Sequence, residues 1–91
     1  MRKKQQNRGP KLNFDRQLDF HGYNGDDAVY ELEEALYTYS GESILIVHGK
    51  GTGILKNRIR EFLAQSELPK SVKNGEDINL PGADGVTVVY T

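Results

Sequence analysis

The run SILIVHGKGTGIL, Ser43 to Leu55, narrows the folds open to this chain more than any other stretch. Ser43 to Val47 is a short β-branched apolar run, which suits a strand buried on both faces, as in a parallel sheet. Gly49, Gly51 and Gly53 then supply a turn with wide backbone freedom. Beyond it, Leu55, Ile59, Phe62 and Leu63 recur at helical spacing, with Thr52 as the expected cap and Pro69 after the end. A buried strand, a glycine turn and an amphipathic helix in that order form half of a βαβ unit.

The flanking segments complete the pattern. Gln17 to Phe20 reads as a short strand with Leu18 and Phe20 inward and Asp19 and His21 on the opposite face. Asn24, with Asp27 three positions on, is an expected helix cap. Val29, Leu32, Leu36 and Tyr39 form the stripe of that helix, backed by Ala28 and Ala35, and Glu31, Glu33 and Glu34 occupy the remaining face. Gly41 closes it. Ser71 to Ile78 reads as a polar strand, Pro81-Gly82 and Asp84-Gly85 mark a loop, and Val86 to Tyr90 is the last strand. The expected fold is an α/β two-layer βαβαββ sandwich with a four-stranded mixed sheet and right-handed crossovers.

Charge divides the chain at its start. Arg2, Lys3, Lys4, Arg8 and Lys11 stand in the first eleven residues with no acid among them, leaving 7 cations against all 13 acids beyond. Residues 1–14 are therefore read as a flexible basic arm or linker, and 15–91 as the domain. A basic arm suits a polyanion, although such an arm is as often a plain solubilising segment. The acidic body confines any nucleic-acid contact to a local patch. The chain has no cysteine, which excludes disulfides, thiol nucleophiles and zinc–thiolate sites and fits a cytoplasmic location. No apolar run is long enough to cross a bilayer, so no membrane partner is expected.

The chemistry-bearing residues gather around the only two histidines. If the first two strands are parallel, His21 and His48 reach the same carboxyl end of the sheet, where open α/β sheets bind ligands. Asp19 lies on the His21 face and suits the fixing of an imidazole tautomer. The glycine turn leads into a helix N-terminus, an anion site suited to phosphate. Gly49, Lys50, Gly51, Thr52 and Gly53 form the expected phosphate cradle, with Lys56 and Arg58 in the first turns of the helix adding charge. Other glycine signatures fit less well: Ile54 occupies the third glycine position of a dinucleotide fingerprint, and the GxxxxGK[ST] pattern is absent. A single histidine at a strand end is usually a surface or core-edge residue, so the pairing with Asp19 is what raises the catalytic reading. Asp19, His21 and His48 as metal ligands, with magnesium as the cofactor, form an alternative that lacks further acidic ligands. Tyr23, Tyr30, Tyr37 and Tyr39 suit helix packing, and Tyr23 alone is placed to stack on a base.

LDFHG (Leu18 to Gly22), an acidic amphipathic helix, ILIVHGKGTGILKNRIREFL and a closing GVTVVY resemble the Smr (small MutS-related) domain from about Leu18 to Tyr90. Leu18, Asp19 and His21 match the family's LDxH-type motif, and His48, Gly49, Gly51 and Gly53 its HGxGxG-type motif. The resemblance implies a fold like the C-terminal domain of translation initiation factor 3. It implies endonuclease activity on RNA or structured DNA, and residence either alone or at the end of a MutS-like ATPase that acts on ribosomes or recombination intermediates. Histidine at position 21, where some fused members carry arginine, favours cleavage. The expected function is phosphodiester cleavage, with His21 and Asp19 as the acid/base pair and the turn holding phosphate. His48 is expected as the second proton carrier or as a support for the turn. The alternative is a non-catalytic module that binds nucleic acid or the ribosome.

Overall fold

A computed structural model describes residues 14–91, so the basic arm lies outside the described residues apart from Phe14. The elements are β1 (Arg16–Asp19), α1 (Gly25–Thr38), β2 (Ser43–Val47), α2 (Ile54–Gln65), β3 (Ser71–Asn74) and β4 (Val86–Tyr90). They build a four-stranded sheet of order β1-β2-β4-β3. β1 and β2 are parallel, and β4 runs antiparallel to both β2 and β3. This is the mixed α/β sandwich the pattern predicts.

Alternation along the strands explains the layers. Ile44 and Ile46 point to the helices and meet Leu32, Leu36, Ile59, Leu63 and Val89, all buried. Leu45 points the other way, into a smaller cluster with Val86 and Val88 that Phe14, Val47 and Leu80 flank. After Ser43 the SILIV run is apolar because both faces of β2 are covered. Removing a fully buried side chain such as Leu32 or Ile59 costs about 2–5 kcal/mol.

Helix α1 starts as its sequence predicts: the Asn24 side chain accepts from the Asp27 N–H at 2.9 Å. Helix α2 does not. Its cap position is Gly53, in the left-handed region at φ +89°, and the Thr52 hydroxyl only approaches the Ile54 N–H at 3.4 Å. The tight turn needs positive φ at the last residue before the helix, and glycine meets that need where threonine would be strained. The strand predicted from Ser71 to Ile78 ends at Asn74. The chain then makes a 3-10 turn, Gly75–Asp77, and the Gly75 carbonyl accepts from the N–H groups of both Ile78 and Leu80. A Cβ at Gly75 would lie 2.2 Å from the Ala83 carbonyl oxygen, so the fold-back is possible only without a side chain there. No helix among the described residues is long and apolar enough to cross a membrane.

Candidate functional site

The parallel register sets Asp19 beside Val47, so the segments after β1 and β2 leave the sheet side by side. The Phe20 N–H donates to the Val47 carbonyl at 2.7 Å and carries the pairing one residue further. A tight turn follows, in which Gly22 adopts positive φ and the Tyr23 N–H donates to the Phe20 carbonyl at 2.9 Å. That turn sets His21 against the glycine loop: a Cβ at Gly49 would lie 3.8 Å from the His21 Cβ. LDFHG and HGKGTG thus meet at one end of the sheet.

His21 is held by its own strand. Asp19 Oδ1 accepts from the His21 backbone N–H at 3.1 Å and pairs with the ring Nδ1 at 2.7 Å. Because a carboxylate only accepts, Nδ1 carries the proton and Nε2 is the basic nitrogen of the neutral ring. The histidine side chain is 75% exposed. The hydrogen bond to His21 holds the Asp19 carboxyl below the usual aspartate range, so it remains an anion.

His48 is built differently. It is buried, with Nδ1 at 2.9 Å from the Gly49 carbonyl and Nε2 at 2.8 Å from Thr87 Oγ1. The Gly49 carbonyl can only accept, so Nδ1–H donates to it. Nε2 then accepts the Thr87 hydroxyl proton, and the freed Thr87 lone pair accepts from Arg60 Nε–H at 2.9 Å. Arg60 also donates to the Val86 carbonyl at 3.1 Å and makes a two-pronged pair with Glu76 at 2.9 Å on each prong. This pairing lowers the Glu76 carboxyl to about 2. Burial pushes the His48 pKa down, with the charges of Arg60 and Lys56 adding to the effect. Both ring nitrogens of His48 are therefore engaged inside the protein in its neutral form.

The glycine turn is closed from the far side by the residues before β4. The Gly85 carbonyl accepts from the N–H groups of both His48 and Gly49 at 3.0 Å, and the Gly53 N–H donates to the Lys50 carbonyl at 3.0 Å. Gly49 and Gly53 hence shape the turn, while their N–H groups are already used by the fold. Lys50 and Lys56 both approach Asp84, at 3.5 and 3.6 Å. Arg58, expected with them, points to the other side of α2 and donates to Asp26 at 2.6 Å. Lys56 and Arg60 share a helix face because they are four apart, and Arg58 is turned away from it.

No sequence motif singles out Arg60, Glu76, Thr87 or Asp84. The helical spacing of Lys56 and Arg60 was the one sequence signal for Arg60; the others come together only through long-range pairing. Asp19, His21 and His48 form no common ligand set: among the described residues no three His, Cys, Asp or Glu side chains converge on one point. The Tyr23 ring packs edge-on against Phe20 at 5.1 Å, and its hydroxyl donates to Glu31 at 3.2 Å, so packing already holds the ring.

Known proteins share the sequence pattern and the fold. A family model described as the Smr domain matches residues 18–91. The chain is 40% identical over 80 residues to Endonuclease MutS2 of Caldicellulosiruptor bescii, covering 85% of this chain and 10% of that protein. It is 34% identical over 89 residues to Endonuclease MutS2 of Geobacillus kaustophilus, covering 90% and 11%. It spans about a tenth of the length of these relatives. The crystal structure of the Smr domain of Thermus thermophilus MutS2 superposes with a TM-score of 0.71 at 31% identity, covering 82% of this chain and 95% of that one. With the family model matched from LDFHG through the last strand, the chain belongs to the Smr domain family.

Proposed function

We propose that this domain cleaves phosphodiester bonds in a nucleic acid, RNA or structured DNA, where His21 meets the glycine turn. The observation that carries the reading is the exposed Asp19–His21 pair at 2.7 Å, set against Gly49. A carboxylate that fixes the tautomer and leaves Nε2 basic toward solvent is the arrangement a general base needs. The relatives named Endonuclease MutS2 support the same chemistry.

In this reading His21 Nε2 takes the proton of the attacking hydroxyl, which in RNA is the 2′-OH, as its oxygen bonds to phosphorus and the bond from phosphorus to the 5′-oxygen breaks. Solvent water protonates that leaving oxygen, and Asp19 steadies the imidazolium that forms. The phosphate rests on the N–H groups of Gly51 and Thr52 and on the first turn of α2, with Lys50 and Lys56 turning from Asp84 to the developing charge. Gly49 and Gly53 give the cradle its shape. His48 supports the turn and carries no proton in the reaction.

The test is cleavage of labelled single-stranded RNA and supercoiled DNA by the wild type and by His21→Ala, each with magnesium and with EDTA. Cleavage that disappears in the variant is expected. Equal cleavage by both proteins would falsify the role of His21. No cleavage, with salt-sensitive binding retained, would leave a non-catalytic binding module.

A further inference from the structure

A groove of about 690 Å³ lies between the start of α1 and α2, on the side of α2 to which Arg58 points. It adjoins the proposed phosphate site at both walls: Asn24 follows the LDFHG turn, and Ile54 follows Gly53. We propose that this groove is a recognition subsite for a guanine base next to the scissile phosphate. The proposal rests on the reading of the glycine turn as the phosphate site.

Three features point to a base and not to a second phosphate. The groove presents Asp26, Asp27 and Glu61 against one cation, Arg58, so a phosphate would be repelled. Ile54, the first residue of α2, is 73% exposed, a large apolar surface at the mouth that suits the face of an aromatic ring. The lining also carries the Asn57 amide, so polar groups surround that apolar contact.

Guanine fits this set better than the other bases. Its N1–H and N2–H lie side by side and match the two oxygens of one carboxylate, best that of Glu61, because Asp26 already accepts from Arg58 and Asp27 Oδ2 from the Asn24 amide. Its O6 and N7 match a guanidinium. Arg58 donates from Nη2 to Asp26 at 2.6 Å, and its remaining N–H groups are in surplus over that one bond. Gly25 lets the guanidinium stem lie close to α1, since a Cβ there would come within 3.0 Å of Arg58 Cγ and make it shift. Uracil offers one N–H between two acceptors, cytosine one amino group beside a bare ring nitrogen, and adenine likewise turns a bare ring nitrogen toward a carboxylate, so none pairs as well.

The experiment is an NMR titration of the labelled 91-residue chain with GMP, AMP, CMP and UMP. GMP is expected to shift the Asn57 side-chain amide and the Ile54 methyl at concentrations at least about tenfold below those UMP requires. The double variant Asp27→Asn/Glu61→Gln, both at exposed positions, should lose that preference while its core methyl signals stay in place. Equal response to all four nucleotides, or shifts confined to residues 49–53, would overturn the base site. The readout needs no cleavage. GMP in the groove with RNA left whole supports the base site and counts against the nuclease, and cleavage without groove shifts does the opposite.

Discussion

His21 and His48 leave neighbouring parallel strands at the same end of the sheet, yet their surroundings have little in common. The first is three-quarters exposed, held at Nδ1 by a carboxylate, with its basic nitrogen toward solvent. The second is buried, with one nitrogen on a carbonyl and the other on a hydroxyl that an arginine also engages. In the proposed reading the two imidazoles therefore divide the work: one exchanges a proton with a ligand, the other fixes the loop on which that ligand rests. Burial and partner chemistry make the difference, and motif spacing does not show it.

The sharpest way to break this contrast is to remove each ring. His21→Ala should lower the cleavage rate by about 10²- to 10⁴-fold and change stability by no more than about 0.5 kcal/mol, read by single-turnover cleavage and thermal melting. His48→Ala should do the reverse to stability. It strands the Thr87 hydroxyl and loosens Arg60, at a cost of about 2 kcal/mol, and lowers the melting temperature by several degrees. An unchanged melting temperature in His48→Ala would remove the case for a structural histidine.

Asp19→Asn should have a smaller effect than loss of the ring, about 10²-fold in rate at most, because His21 stays in place but its tautomer is no longer enforced. A full wild-type rate in this variant would show that the carboxylate does not orient the base.

Acid unfolding sharpens the comparison further. The pKa of His48 is lowered in the folded protein, so the native state binds fewer protons than the unfolded one near and below the ordinary imidazole value of 6.5. Its contribution is complete above that value and is lost as pH falls through the lowered folded value. Glu76 adds a second step: its contribution is complete above the ordinary value of 4.5 and is lost as pH falls toward about 2. Denaturant melts across this range should show His48→Gln missing the upper step and Glu76→Gln the lower. The smallest expected effect is that of Lys50→Ala on stability: its contact with Asp84 is long and exposed, and the melting temperature should hardly move.

Local chemistry made much of this molecule readable. Asn24 caps α1 because a short polar side chain three residues before an N–H has one good use there. SILIV forms one of the two inner strands because apolar residues on both faces tolerate little else. Thr52 misled because a hydroxyl before a helix is the usual cap, and only the three-dimensional path of the turn shows that Gly53 must take positive φ. The end of β3 was hidden for a related reason: Gly75 leaves the strand to fold against Ala83 and Val86, contacts set by tertiary packing. The network from His48 to Glu76 joins residues up to 39 positions apart, and no local pattern encodes such a chain of hydrogen bonds.

The place of β4 has a consequence for the order in which the site can appear. Synthesis delivers both histidines and the whole glycine turn before it delivers Gly85 and Thr87, which hold that turn. β4 also pairs with both β2 and β3, so β3 joins the sheet only through it. A nascent chain stopped short of residue 85 would carry LDFHG and HGKGTG but lack the contacts that hold the second of them in place. The shape of the turn is thus settled only once the last strand has docked.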